Sequence, residues 1–470
     1  MVGILDGLVR MLIGGLREIS IEPEIVNDLR PGLAGPVIVL GANLFGPSEL
    51  DSLPRGSIIF NVENSSSAFL SAEYIRVLRK FAVWDFDQNN ALDLARMLVR
   101  PVYYFRMFYI KPLSRIADAA QQDIDVLFFG SFNLRRSAVL DGLRARGLLV
   151  HAVFGVFGSE LDDLIARSKV VINIHFYENG RLEMVRLFDL LANGRAVVSE
   201  LNPGEALDDD LAGAFVTAPY EQLVEVTEAL ARNPDRRSRV AMAGLQAFSC
   251  RRPNTILREA LAWSAAPRPP NDAVVGSGKM YDPNLFNIDN DKRWHPDIVA
   301  DIADRELFAR EFPSRRFGML RLQRGWFDSI IASHVLEHIP DLVSAMTNCL
   351  ALLCEGGLLR VTVPYDLSYG AWQDPTHVHA FNERSWLYYC EWYWYIGWTE
   401  SRFDLIEQSF HNSPWGDALA ARGCAADEIL RSPRAVDEMR VVLRKRRLTE
   451  EELAYGQAMR GDARATSPIT

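Results

Sequence analysis

The 470-residue sequence holds only five cysteines, Cys250, Cys349, Cys354, Cys390 and Cys424, scattered and without a CxxC pair. That scarcity excludes a disulfide framework and a cysteine-ligated zinc module, and it suits reduced thiols in a cytoplasmic protein. Basic charge is in deficit: 51 Lys and Arg against 61 Asp and Glu leave a net charge of −10. Phosphate affinity comes largely from Lys and Arg, so the balance argues against a general nucleic-acid binder. Long apolar runs are missing as well. The stretch 1–20 is broken by Asp6, Arg10 and Arg17, carries no cleavage signal, and is too short and too charged to span a bilayer. No internal repeat or low-complexity tract stands out.

What is present is ordinary for folded protein: 49% hydrophobic and 24% charged residues. At a prior of about 150 residues per domain, the length predicts two to four domains. Near the N-terminus, Ile4, Leu8, Leu12 and Leu16 recur at helical spacing, with Val9 and Ile13 beside them. This predicts a helix packed on the first domain. The alternative is a peripheral helix on the inner face of the membrane, although its polar face lacks the lysines that anionic lipid would favour.

Apolar strand-like runs alternate with helical patterns over most of the chain, which predicts an α/β fold. Residues 36–41, 57–61 and 81–84 read as buried strands, with a helix over 71–80. A second series runs through strands at 125–130, 149–154, 169–174 and 195–199, with a helix over 181–192 stopped by Asn193-Gly194. The segment Ala265-Ala266-Pro267-Arg268-Pro269-Pro270 is the best domain break, because proline removes donors and forbids helix. The expected units are 1–120, 121–265 and 272–450, followed by a polar tail over 451–470.

In the third unit, strand 273–275 runs into the turn Gly276-Ser277-Gly278. Glycine allows close approach of backbone to a ligand. Strands ending at Asp289 and at Asp301 follow, then Phe327 to Ser333, His334-Val335-Leu336-Glu337-His338, a helix over 341–353 and a strand over 358–363. Segments 403–410 and 435–444 are expected to pair as late antiparallel strands. Only eight residues separate Gly278 from Asn287, too few for the usual crossover helix, so a loop is expected there.

Four histidines, His334, His338, His377 and His379, invite a metal reading, but the HExxH order is absent and no metal is expected. A general base is preferred. An imidazole titrating near pH 6.5 suits proton removal from a hydroxyl, and His377 sits in the loop after the fifth strand, with Asp374 expected to orient it; the alternative is a histidine satisfied by backbone in a tight loop. The run 386–398 carries eight aromatic residues in thirteen, which packing explains better than sugar stacking. Segment 305–325 holds six arginines and reads as a solvated basic face, the alternative being an insertion or a contact for an anionic acceptor.

The segments GSGK (276–279), NID (287–289), DIVADI (297–302), FDSIIASHVLEHIPD (327–341), CEGGLLRVTVP (354–364) and DPTHVHAF (374–381) resemble small class I methyltransferases of the type 11 kind, over about 170 residues. The resemblance implies a Rossmann-like domain using S-adenosylmethionine. Gly276, Ser277, Gly278 and Asp289 would hold the cofactor, Asp301 would face its adenine region, and Ser333 and His334 would line the methyl-donor site. His377 and Asp374 are the expected catalytic pair.

The segments DVLFFGSFNLRRSAVLDGL (125–143), FGSELDDLIARSKVVINIHFYE (157–178) and LEMVRLFDLLANGRAVVSE (182–200) resemble the nucleotide-binding domain of GT-B glycosyltransferases of surface-glycan type. FNVENSSS (60–67) and VWDFDQNN (83–90) resemble the acceptor-side domain. The resemblance implies two Rossmann-like domains ahead of the methyltransferase. A nucleotide sugar would be held by Gly130, Ser131, Arg135, Arg136, Arg186 and Asp189, with Glu183 as the catalytic carboxylate and no required cation. Asp189 takes the second of two acidic positions eight apart, and the first falls on Arg181. The expected partner is a glycan or lipid-linked glycan acceptor. Together the two resemblances imply a transferase that builds and O-methylates a glycan. The alternative is an active methyltransferase joined to a non-catalytic glycan- or partner-binding half.

Overall fold

The computed structural model describes residues 2–29, 32–65, 67, 70–178 and 180–465. The chain divides into two compact units, Met1–Ala266 and Pro267–Thr470, parted inside the proline-rich segment.

The first unit holds two parallel sheets. Strands β1 (Ile38–Leu40), β2 (Ile58–Asn61), β3 (Ala82–Asp85) and β4 (Tyr103–Tyr104) pair in that order. Strands β5 (Ile124–Phe129), β6 (Val150–Val153), β7 (Ser168–Asn173), β8 (Val197–Glu200) and β9 (Val216–Ala218) form the second sheet, ordered β6-β5-β7-β8-β9. Every residue of β2, β3 and β8 is buried, as expected of parallel strands covered on both faces. The second sheet reverses direction between β5 and β7. In such sheets the crevice outside the strand C-termini at the reversal is where ligands bind.

The units expected at 1–120 and 121–265 share one core: Ile58, Phe60 and Trp84 from one sheet cluster with Ile124, Leu127 and Val171 from the other. Two helices complete it. Helix Val2–Glu18 buries Leu8, Met11, Leu12 and Leu16, and helix Pro253–Ala265 buries Ile256, Leu257 and Ala260. Burying each of these Leu, Ile and Met side chains stabilises the fold by about 1.5–3 kcal/mol. Leu8, Met11, Leu12 and Leu16 of the first helix are therefore covered by protein, which supports the packed-helix reading.

The second unit continues with β10 (Asp272–Val275), β11 (Phe286–Asp289), β12 (Ile298–Val299), a hairpin of β13 (Phe312–Ser314) and β14 (Gly318–Leu320), then β15 (Phe327–Ser333), β16 (Leu353–Pro364), β17 (Ser401–Asn412) and β18 (Val436–Arg447). Seven of these form one sheet, ordered β12-β11-β10-β15-β16-β18-β17. The first five are parallel, and β18 runs antiparallel to both neighbours. The reversal of order lies between β10 and β15, with helix Leu342–Leu352 crossing from β15 to β16. A loop, with no helix, joins β10 to β11, so β11 follows directly on the glycine turn.

Two local expectations differ. The strand expected over 297–301 is two residues long, and Asp297 just ahead of it pairs with Arg316 at 2.5 Å and accepts the Asn287 amide at 2.8 Å. The same ion pair ties down one arginine of the segment expected as a solvated face. The tail expected over 451–470 is helical over Glu450–Ala465. Leu453 packs on the core of this unit, and Arg460 donates to the Trp398 carbonyl at 3.3 Å. Within the aromatic run, Trp386, Tyr389, Tyr393 and Trp398 are buried, while Tyr388, Trp392 and Tyr395 are exposed.

Candidate functional site

In the second unit the reversal between β10 and β15 gathers the glycine turn and the ends of three strands. Gly276 and Gly278 have φ of +67° and +49°, the left-handed region that favours glycine. A Cβ on Gly276 would also overlap the Val335 side chain. At the end of β11, Asp289 accepts the Gly278 amide on Oδ2 and the Asp291 amide on Oδ1, each at 2.8 Å. Between the glycines, the buried Ser277 hydroxyl has no hydrogen-bond partner. The expected Gly276, Ser277, Gly278 and Asp289 thus form one cradle. Asp301 stands beyond β12, exposed, with Oδ1 accepting the Ala303 amide at 2.9 Å.

Ser333 ends β15, and His334 follows with φ +54°, an uncommon conformation for a residue with a Cβ. Its amide donates to the Thr362 carbonyl on β16 at 2.9 Å, which holds the strained turn. The ring lies between two carboxylates, Nδ1 3.4 Å from Glu337 Oε1 and Nε2 3.1 Å from Glu438 Oε1. These neighbours, Glu337 foremost, raise the imidazole above its ordinary pKa.

A cleft of about 450 Å³ opens here, lined by His334, Glu337, His338, Asp374, His377 and Glu438 among others. His338 does not share a helix face with His334; a short 3₁₀ turn, Leu336–His338, carries it into the cleft. The His338 and His377 rings meet edge to face at 4.6 Å. Glu337, His338 and His377 present ligand atoms within 4.8 Å of one another.

The expected orientation of His377 by Asp374 is corrected. His377 Nδ1 lies 3.1 Å from the Ala371 carbonyl, which only accepts, so Nδ1 carries a proton and, in the neutral ring, Nε2 holds the lone pair. Asp374 Oδ1 instead accepts from the Thr376 amide and hydroxyl, at 2.9 and 2.7 Å, and these bonds hold its carboxyl below the usual range.

Sequence reasoning passed over Glu337, Thr376 and Glu438. Glu337 was visible beside His338, but its burial was not. Glu438 comes from β18, about a hundred residues away, and no local pattern announces that meeting.

In the first unit, the end of β5 and the end of β7 flank the other crevice. Gly130 has φ +141°, and a Cβ there would stand 3.1 Å from Arg186 Nη2. Arg136 is buried, donating to the carbonyls of Ile174 and Ser131, both at 2.9 Å, and to Glu183 at 3.1 Å. Glu183 also pairs with Arg186 at 2.7 Å, and Arg186 donates to Asn173 at 3.1 Å. Five expected residues, Gly130, Ser131, Arg136, Glu183 and Arg186, therefore meet at the strand ends.

Two others are engaged elsewhere. Arg135 forms a two-pronged ion pair with the fully buried Glu200 and stacks 3.9 Å above the Tyr220 ring. Asp189 pairs with Arg115 at 2.6 Å, outside the Gly130 cluster. On the first sheet, Asp85 is buried and accepts from Asn61, Asn90 and the Asp87 amide, which gives it a structural role.

Residues 109–255 match a family described as glycosyl transferase-like. Two proteins of Acanthamoeba polyphaga mimivirus are similar over parts of the chain. Uncharacterized protein L138 is 30% identical over 125 residues, 26% of this chain and 14% of its own length. Uncharacterized protein L140 is 27% identical over 154 residues, 32% of this chain and 51% of its own. The chain thus spans a seventh to a half of these relatives. Among solved structures, AviGT4, a glycosyltransferase involved in avilamycin A biosynthesis, is 13% identical with a TM-score of 0.38, covering 56% of this chain and 90% of that one. A SAM-dependent methyltransferase from Archaeoglobus fulgidus is 13% identical with a TM-score of 0.26, covering 40% and 90%.

Proposed function

We propose that the second unit is a class I methyltransferase that transfers the methyl of S-adenosylmethionine to a sugar hydroxyl, and that the first unit is a GT-B-type glycosyltransferase acting on the same glycan. The observation that carries the first half is the cradle at the β10–β15 reversal, closed by the Asp289–Gly278 bond.

The cradle fits the cofactor. Asp289 keeps lone pairs for a ribose diol, the buried Ser277 hydroxyl between the glycines has no hydrogen-bond partner, and only the Gly276 carbonyl lies within 4 Å of where a Gly278 Cβ would stand. When bound, the sulfonium supplies an activated methyl group for in-line displacement. The chain then has to bind the acceptor, aim its oxygen and receive its proton. The cleft beside His334 provides the room. His377 is assigned to accept the proton through Nε2, because the Ala371 carbonyl fixes the other nitrogen. With a methylatable glycan acceptor, His377→Ala should lower turnover by about 10²–10⁴ and leave cofactor affinity unchanged. Full turnover in that variant would remove the assignment.

For the first unit, Arg186 and Arg136 beside Gly130 would receive a diphosphate, with Glu183 holding both guanidinium groups in place. A second reading, in which this unit binds glycan or a partner without catalysis, is favoured by the pairing of Arg135 with Glu200 and of Asp189 with Arg115. Nucleotide release from UDP-, GDP- and dTDP-sugars by the full chain separates the two.

A further inference from the structure

We propose that Glu337, His338 and His377 form a site for one divalent transition-metal ion of the zinc or cobalt class, in the cleft of the second unit. Two imidazoles and a carboxylate converge there, their ligand atoms within 4.8 Å of one another. Such a set suits Zn²⁺, Co²⁺ or Fe²⁺ better than the all-oxygen cations.

An independent observation points to the same place. Glu337 is 1% exposed, lines the cleft, and neither carboxylate oxygen has a hydrogen-bond partner. A buried carboxylate without hydrogen bonds is costly unless a positive charge stands beside it. The His334 ring stands 3.4 Å away at Nδ1 and makes no hydrogen bond to either oxygen.

The surrounding bonds also leave both imidazoles ready to ligate. Thr376 Oγ1 gives its proton to Asp374 at 2.7 Å, so at 2.9 Å from His338 Nδ1 it must accept. His338 Nδ1 therefore carries a proton, as His377 Nδ1 does toward the Ala371 carbonyl at 3.1 Å. Both Nε2 lone pairs remain. Fixing the tautomer through the far nitrogen is the usual outer support of metal-bound histidine. Sequence spacing hid this arrangement, since the third ligand comes from a loop 39 residues beyond His338.

Three protein ligands leave coordination positions open to the cleft. There an acceptor hydroxyl on the ion would pass its proton to cleft water more readily, and His377 Nε2 would then hold the ion in place of receiving the proton. This role rests on the methyltransferase reading; the ion site itself does not.

The test uses the full chain, stripped with chelator and dialysed, then titrated with Co²⁺ and separately with Zn²⁺ by calorimetry. S-adenosylmethionine binding is measured on the same preparations, so that a failed cofactor site and a failed ion site are told apart. The proposal expects one Co²⁺ per chain with visible d–d absorption. Glu337→Gln, His338→Ala and His377→Ala should each abolish that absorption. Thr376→Val, which keeps all three ligands, guards against misfolding and should weaken Co²⁺ by roughly 10–100-fold. Absence of Co²⁺ binding to the wild type, or equal affinity in wild type and the folded ligand variants, would overturn the site.

Discussion

Asp289 Oδ2 accepts the Gly278 amide at 2.8 Å, so the carboxylate ending β11 clamps the glycine turn that leaves β10. One residue thereby links two strands that only a loop joins. In a sheet with a crossover helix at this point, the first helical amides would face the ligand. Here the carboxylate holds the turn through the Gly278 amide, while its other oxygen accepts the Asp291 amide just past β11.

Within the glycine turn, Gly276 is less able to change than Gly278. A side chain there meets a left-handed φ of +67° and the Val335 side chain together. Gly276→Ala should cost about 1–3 kcal/mol of stability in the second unit and weaken cofactor binding. Thermal unfolding and calorimetry on the same variant check both effects. A neutral result would mean the turn adapts without cost.

The ion pair between Arg135 and Glu200 gives a prediction for the first unit. Glu200 is fully buried at the end of β8 and also accepts the His175 amide at 2.9 Å. Arg135→Ala removes the counter-charge and should destabilise this unit by about 3–5 kcal/mol, measured by denaturant unfolding. Replacing Arg135 and Glu200 together with Met and Gln should recover part of that loss.

The Glu450–Ala465 helix provides a pH test. Glu452 accepts from Arg446 at 2.6 and 2.7 Å and from Arg402 at 2.9 Å, and these bonds pull its carboxyl down to about 2. A carboxyl whose folded pKa is depressed stabilises fully above its unfolded value, near 4.3, and loses that contribution as pH falls toward the folded value. Discounted for partial exposure, Glu452→Gln should cost about 1–2 kcal/mol at pH 7. The gap in melting temperature to wild type should narrow below about pH 4.3. A gap constant from pH 7 to pH 3 would contradict this.

Strands and their order in sequence were legible because apolar runs and punctuating residues are local signals. The β17–β18 pair and the absence of a helix after Gly278 could be read for that reason. What local pattern could not carry was the meeting of distant side chains. Asp374 and His377 sit three apart, yet each is satisfied by a different neighbour: Thr376 for one, the Ala371 carbonyl for the other. Asp189 looked like a site residue from its place in DLLANG and instead pairs with Arg115, 74 residues earlier. The helix over Glu450–Ala465 was missed because its composition is polar. Its docking rests on a few contacts, chiefly Glu452 and Leu453.

The claim on which the rest depends is that the Gly276–Gly278 turn and Asp289 hold S-adenosylmethionine, and calorimetric titration of the full chain with that cofactor tests it. The account predicts one site per chain, and a loss of about 2–3 kcal/mol of binding in Asp289→Ala when its charge-assisted hydrogen bonds are removed. A wild-type chain that does not bind the cofactor, or an Asp289→Ala variant that binds it equally well, would contradict it.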